Sequence, residues 1–515
     1  MLTPRQLEQS ADTLLPLLDE LNTYITNDMI RRFCGKLGRG EAAVLTGTDV
    51  WQAKVYQSYG GDLGELQNQV SKASRKTSEE IKSIFEQAAI TCNEDENKRF
   101  REAGLKDIPL SKEAVSKVEE MYRRTNGEFR NLTGTTALQS QKRLIEVLDQ
   151  AYFHVHSNAQ SYTSAYLQGI DKLAEIQAEV VYPSGHVDRI ETAVLRAVRT
   201  GVGQSSAQIV LQHTIDAGWN HVLVSSHLGA RTGDGTPGHG NHFWWQGKPY
   251  QIDGESKGYP NLEKTTGFPS DPLGLGGYNC RHNITGFLPG VSSNPFQQFD
   301  SDENKKIEEL NKKQREKERR IRKLKVKLEG YKTAMEETDD SVLKQTLQEK
   351  YNKTALKLQQ SNIEYRGFCQ TNKLKPLSER LKIAKWDRAK AAEAREAARV
   401  QKRLNNINQE LQQMREDGII KTTGEVVQAP APPKVVHFRE HSLERLIKRK
   451  MTIADVNSIL NKSALAFKQR RGEQYAYYSD DGFLAVKNNG DVSTIGRLDE
   501  GGEKIMEVFK KYGFY

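Results

Sequence analysis

Val198-Arg199-Thr200-Gly201 opens and Tyr278-Asn279-Cys280-Arg281-His282 closes the stretch 198–290, around which the chain is organised. Between them lie Ser226-His227-Leu228-Gly229-Ala230-Arg231, Phe243-Trp244-Trp245-Gln246-Gly247-Lys248 and Tyr259-Pro260-Asn261-Leu262-Glu263. Histidine, tryptophan, glycine and proline crowd this stretch, whereas most of the remaining chain is charged and helical in pattern. Ile190, Ala193, Val194, Ala197 and Val198 recur at helical spacing, with Ile209, Leu211 and Ile215 on a second face, so a helix is expected over 188–218. Gly218 suits its end, because glycine enters the left-handed cap conformation without a steric penalty. His221 to Ser225 is a short β-branched run and reads as a strand. Glycines and prolines every few residues from Gly229 to Gly277, around aromatic anchors, describe short strands and ordered loops. A compact α+β module over 188–295 follows.

Working outward, residues 1–187 read as a helical layer. Leu14, Leu17, Leu18 and Leu21 keep helical spacing, as do Ile81, Ile84, Phe85 and Ala88, and then Leu144, Ile145, Val147 and Leu148. Breaks are expected at the glycine-rich Gly35 to Gly47, at Tyr59-Gly60-Gly61, and at Asp107-Ile108-Pro109. On the other side, 296–420 changes character. Ile321, Leu324, Leu328 and Tyr331 follow a coiled-coil seam beside the basic run Lys312 to Arg320. With interruptions at Asp339-Asp340 and Lys375-Pro376, a helical hairpin and a further helix from about Pro376 to Arg415 are expected. Residues 421–433, ending Ala429-Pro430-Ala431-Pro432-Pro433, have the composition of a semi-rigid extended linker. After it, 434–515 reads as an α+β domain: helices at His441 to Lys450 and Ile453 to Leu460, then strands at Gln474 to Tyr478, Phe483 to Lys487 and Val492 to Ile495, the last two joined by an Asn-Gly turn. The fold class is therefore multi-domain and predominantly α, with a small central α+β module, long basic helices and a C-terminal α+β domain.

Composition narrows the function. The formal charge is +9 over 515 residues. Residues 301–417 hold 30 Lys and Arg against 20 Asp and Glu, an excess of ten that accounts for the surplus of the whole chain. Such rows either bind phosphates by releasing counterions or form a solvated helix face. Four scattered cysteines, Cys34, Cys92, Cys280 and Cys369, argue against a disulfide framework and for a reducing compartment. Asp19, Glu20 and Asp28 interrupt the N-terminal apolar positions, unlike a secretory signal, and no run is long and apolar enough to span a membrane.

Taken in order, the five central motifs, beginning with Arg196-Ala197-Val198-Arg199-Thr200-Gly201, resemble the tailed-phage minor capsid protein 2 family, related to head-morphogenesis proteins of the Mu F type. The likeness extends over roughly 1–415, including Pro289-Gly290 and Tyr365-Arg366. It implies a minor head protein made in few copies and located in the virion, in the capsid interior near the portal. Its implied partners are the portal protein and phage DNA, and its implied role is head assembly, DNA packaging or ejection. His227, His239, His242, Cys280 and His282 supply ligand types that zinc accepts, and Cys280, His282, His239 and His242 are the candidates for a structural zinc; the alternative is a buried thiol in a hydrogen-bonded loop.

In the C-terminal domain, His437, His441, Arg445 and Arg449 recur every four residues and make one helical stripe if the helix starts early enough. Imidazole exchanges protons near neutral pH and guanidinium neutralises a phosphorane, which is the equipment of a metal-independent ribonuclease needing no cofactor. Tyr475, Tyr477 and Tyr478 offer stacking surfaces for a base, and Thr494 a hydroxyl for a phosphate. The pattern resembles the phage-borne barnase/EndoU/colicin/RelE-like nucleases, whose usual site falls on His441, Arg445, Arg449 and Thr494, with Tyr478; His437 precedes the expected helix and is assigned to substrate binding. The resemblance implies a toxin-like domain acting on host RNA or tRNA in the host cytoplasm, attached to a non-enzymatic body. Two alternatives stay open. The whole chain is a structural head-morphogenesis protein whose last domain binds nucleic acid or a virion partner, or it is a free toxin, which leaves the central motifs unexplained.

Overall fold

The computed structural model describes residues 2–37, 62–157, 159–160, 162–176, 178–182, 184–383, 386–433 and 436–515. The glycine-rich breaks expected at 38–47 and 59–61 lie outside these; Gly35 is inside a helix. Helices hold most of the described residues, as the periodicities require, and the chain divides into two compact units. The first comprises Met1–Gln160, Asp171–Val326 and Ser361–Trp386; the second comprises Ser161–Ile170, Lys327–Gln360 and Asp387–Tyr515.

In the first unit, α1 (Pro4–Gln9), α2 (Leu15–Leu37), α3 (Asp62–Glu102) and α4 (Lys112–His156) form the helical layer. The helix α5 (Tyr162–Ile176) precedes a short antiparallel hairpin, β1 (Glu179–Val181) with β2 (Val187–Arg189), which has no clear signal in the sequence. The helix α6 (Ile190–Asp216) is the central pillar: Ile190, Val194, Val198, Val202, Ile209 and Val210 are fully buried. Gly201 has a packing role. A Cβ there would lie 2.2 Å from Thr125 Oγ1 of α4 and 2.9 Å from the Phe85 ring of α3, so glycine is what lets three helices approach at this level.

The central module is a three-stranded antiparallel sheet in the order β4-β3-β5, from β3 (His221–Val224), β4 (Pro249–Gln251) and β5 (Ile284–Gly286). Two short helices, α7 (His242–Trp245) and α8 (Leu262–Thr266), sit in the intervening loops, capped by Asn241 and Asn261. The core joins Ala207 and Val210 of α6 to Val222, Val224, Trp245, Tyr250, Leu262, Phe268, Leu275, Cys280 and Ile284. Glu96 of α3, fully buried, accepts hydrogen bonds from Thr285 Oγ1 (2.9 Å) and the Gly286 amide (3.1 Å), tying the sheet to the helical layer.

The helical hairpin consists of α9 (Ser301–Glu336) and α10 (Ser341–Thr371). Ile321, Leu328 and Tyr331 are buried and Leu324 half-buried, in keeping with the expected seam. The third helix, α11 (Arg388–Glu416), starts about three turns later than Pro376 suggests: Ser378–Leu381 is a short 3₁₀ turn, and Asp387 supplies the N-cap.

The second unit corrects the reading of 421–433 as a linker. Glu425–Gln428 is a strand, β6, paired antiparallel with β7 (Leu465–Gln469). The sheet continues through β8 (Gln474–Ser479), β9 (Gly482–Lys487) and β10 (Val492–Gly496), five strands in sequential order. Alternation places Ala476 and Tyr478 on one face with Val400, Leu404, Ile407 and Leu411 of α11 and Ile505 and Phe509 of α14 (Glu500–Lys511). Tyr475 and Tyr477 face the other way, with Val456, Ile459 and Leu460 of α13 (Ile453–Lys462). The helix α12 (Glu440–Lys448) lies beside β10. Because α11 and β6 complete one side of the core, a boundary at 434 cuts through the unit.

Candidate functional sites

The five motifs of the central stretch converge in space. Arg231 donates to the Tyr278 carbonyl at 2.6 Å, joining the second motif to the fifth. Asn304 of α9, fully buried, accepts from the Gly229 and Ala230 amides and donates to the Ala230 carbonyl, each at 2.8 Å, which docks the second motif on α9. Gln246 Oε1 of the third motif accepts from the His227 amide at 3.0 Å and from His282 Nε2 at 2.9 Å. Asn279 adopts φ 57°, a left-handed turn that directs the chain into Cys280-Arg281-His282.

At this convergence His242, Cys280 and His282, all buried, bring one potential ligand atom each to within 4.8 Å of one another. His242 Nε2 donates to the Leu273 carbonyl at 2.8 Å. His282 Nδ1 stands 3.7 Å from Cys280 Sγ, and the His282 amide donates to that sulfur at 3.4 Å. The ring of His227 stacks on His282, centroids 4.4 Å apart. Burial, helped by Arg231, pushes His242 down to about 3, and burial with the neighbouring histidines holds His282 well below the usual imidazole range. Burial raises the Cys280 thiol. Of the four zinc candidates, His239 is the exception: its Nδ1 meets Asp271 at 2.7 Å and its Nε2 the Lys264 carbonyl at 3.1 Å, so it is engaged elsewhere. The bond to Asp271 raises its pKa.

A cavity of about 470 Å³ adjoins this cluster, with His227, His242 and Cys280 in its wall. Its lining is strongly cationic: Arg196, Arg199, Arg231, Arg281, Arg315, Arg319, Arg322 and Arg380 with Lys312, against Glu308 and Glu318. Lys312, Arg315, Arg319 and Arg322 recur at three-four spacing on α9, so one face of the basic run lines a cavity instead of forming a wholly solvated stripe. Local pairing offsets part of this charge, with Arg199 meeting Asp12 at 2.8 Å and Arg322 meeting Glu191 at 2.9 Å.

In the second unit the stripe is only partly realised. His441 is exposed on the first turn of α12, and Arg445, one turn on, donates to Thr494 Oγ1 of β10 at 2.6 Å. Arg449, at the C-cap, donates to the Ile495 carbonyl and lies over the Phe483 ring at 5.9 Å, which commits it to holding the helix against the sheet. Gly496 leaves the space it needs, since a Cβ there would fall 2.1 Å from Arg449 Nη1. His437 precedes the helix, in a parallel bridge with Asp491. The base-stacking role of the tyrosines is overturned. Tyr475, Tyr477 and Tyr478 are only 3%, 2% and 4% exposed, because β8 is a middle strand covered on both faces. Tyr478 bonds Thr422 at 2.9 Å and stacks on Phe483. Sequence reasoning missed Arg439, whose guanidinium pairs with Asp491 at 2.5 Å beside the same edge; it lies two residues before His441, off the four-residue repeat that picks out the stripe.

Comparison with curated proteins and with solved structures yields no match. A family model for phage minor capsid protein 2 matches residues 2–368, ending within α10 and leaving α11 and the five-stranded sheet beyond it. With the five motifs assembled into one module inside the matched span, the chain belongs to the phage minor capsid protein 2 family.

Proposed function

We propose that this head protein sits beside the portal in the capsid interior, in contact with phage DNA, serving assembly, packaging or ejection, and that its C-terminal domain is a toxin-like, metal-independent ribonuclease. The observation that supports the catalytic half is the Arg445–Thr494 hydrogen bond, which joins α12 to β10 one helical turn from exposed His441. In this reading His441 takes the proton of a ribose 2′-hydroxyl, the 2′ oxygen attacks phosphorus, and a 2′,3′-cyclic phosphate forms as the 5′ oxygen leaves with a proton from solvent. Arg445 neutralises the charge gathering on the phosphorane oxygens, and Thr494 holds both Arg445 and a phosphate oxygen. Base recognition falls to groups outside the buried tyrosines.

The test is cleavage of mixed cellular RNA and tRNA by the purified full chain in EDTA, with His441→Ala and Arg445→Ala alongside. General-base loss is expected to slow cleavage by roughly 10²–10⁴-fold. A folded chain that leaves RNA intact defeats the ribonuclease reading. The engagement of Arg449 with Ile495 and Phe483 favours, in that case, a purely structural domain that binds a virion partner or nucleic acid.

A further inference from the structure

We infer that His242, Cys280 and His282 form a three-ligand site for a divalent transition metal of the zinc class, with its fourth coordination position exchangeable and turned to the arginine-lined cavity. Hydrogen bonds settle which ring nitrogens are available. Leu273 offers His242 a carbonyl, which only accepts, so His242 Nε2 carries the proton and Nδ1 the lone pair. Gln246 Oε1 already accepts the His227 amide, which fixes the orientation of that amide side chain; His282 Nε2 therefore donates to it, and His282 Nδ1 is the lone pair facing Cys280. Metal-bound histidines characteristically donate their other nitrogen to such an oxygen, which sets ring orientation and basicity. Cys280 Sγ accepts the His282 amide, a bond that strengthens on a thiolate.

The distances fit. Bonds of about 2.0–2.1 Å to nitrogen and about 2.3 Å to sulfur at tetrahedral angles place N and S roughly 3.5 Å apart. His282 Nδ1 and Cys280 Sγ are 3.7 Å apart, and one ligand atom from each of the three residues falls within 4.8 Å of the others, so side-chain shifts of about an ångström close the set. Two imidazoles and one thiolate are a borderline-soft donor set that favours zinc over magnesium or calcium. On binding, Cys280 loses its thiol proton to solvent and the sulfur lone pair forms the metal bond. Three protein ligands leave one position open, and since His242 and Cys280 stand in the cavity wall near Arg231 and Arg281, that position takes water or an oxyanion.

The experiment uses the full chain, purified without chelator. Elemental analysis is expected to give one zinc per chain, and replacement by cobalt a sulfur-to-cobalt charge-transfer band with intense tetrahedral d–d bands. Cys280→Ser should abolish the charge-transfer band, whereas His239→Ala should retain metal and spectrum. Should Cys280→Ser fail to fold, wild-type chain stripped by chelator and titrated with cobalt reads the same band. Inorganic phosphate added to the cobalt form should shift the d–d bands, reporting the exchangeable position; bands indifferent to phosphate overturn that part of the inference. A folded chain that retains no zinc and develops no thiolate–cobalt band overturns the site.

Discussion

At the level of single residues, the most consequential feature is an ionisable group buried in the helical layer. Asp19 of α2 is 2% exposed, and burial, reinforced by the nearby Glu191, raises its pKa from 3.8 to about 9. Burial works in the same direction on Glu191, but Arg322 and Arg189 outweigh it and keep that carboxylate ionised. The two buried carboxyls are thus driven apart, Asp19 towards its neutral form and Glu191 towards its ionised one. The linkage has a definite sign. Stability associated with protonated Asp19 is fully present below its unfolded pKa near 4 and is lost as pH rises toward 9, because only the unfolded chain ionises readily in that window. Asp19→Asn keeps a donor and removes the titration. Denaturant midpoints at intervals from pH 5 to 8.5 should therefore fall less steeply for the variant, with a gain over wild type of about 1.4 kcal/mol or more at the alkaline end; parallel curves would show that Asp19 is ionised when folded. Gly201→Ala is a second test at this scale. Its methyl group meets Thr125 and Phe85, so a loss of roughly 1–3 kcal/mol is expected, although alanine is the better helix former. A stabilised variant would mean that the three helices separate freely.

Among the elements, α11 and β6 show how a segment without a strong strand pattern joins a sheet. Val426 of β6 is paired with Phe467, and the outer side of the strand is closed by Asn408 of α11, which donates to the Val426 carbonyl at 2.9 Å and accepts its amide at 2.7 Å. Asn408→Ala leaves both groups without this partner, at a cost of about 1–3 kcal/mol, measurable as faster hydrogen exchange across β6 and β7. Unchanged exchange would show that solvent replaces the asparagine at no cost. The same packing predicts that residues 434–515, expressed alone, fail to give a dispersed amide NMR spectrum, since Val400, Leu404, Ile407, Leu411 and Val426 are missing from their core. A well-dispersed spectrum would restore the boundary at the proline-rich segment.

For the whole molecule, family membership places the protein in the virion, and the proposed portal position makes a quantitative demand on particles. Purified particles should contain the intact chain, including its C-terminal sheet, in far fewer copies than the major shell protein, and crosslinking mass spectrometry should join it to portal subunits. Crosslinks confined to the shell protein would remove the portal assignment while leaving the family assignment intact. No described helix is long and apolar enough to cross a membrane.

Features set by local pattern are legible along the chain. The helical layer, α6 with its Gly218 terminus, β3, the basic hairpin, and the strands β8 to β10 with their Asn-Gly turn follow from periodicity and turn chemistry, and five ordered motifs suffice for the family. Tertiary structure alone decided partnership. Nothing in spacing distinguishes His239 from His242, yet one meets Asp271 and the other turns toward Cys280, because loop closure around Gln246 and Leu273 sets ring orientation. Tyr475, Tyr477 and Tyr478 read as stacking surfaces until the sheet is covered on both faces, by α13 over Tyr475 and Tyr477 and by α11 with α14 over Tyr478. Local propensity is set within a few residues, whereas burial and coordination depend on what distant segments bring to the same place.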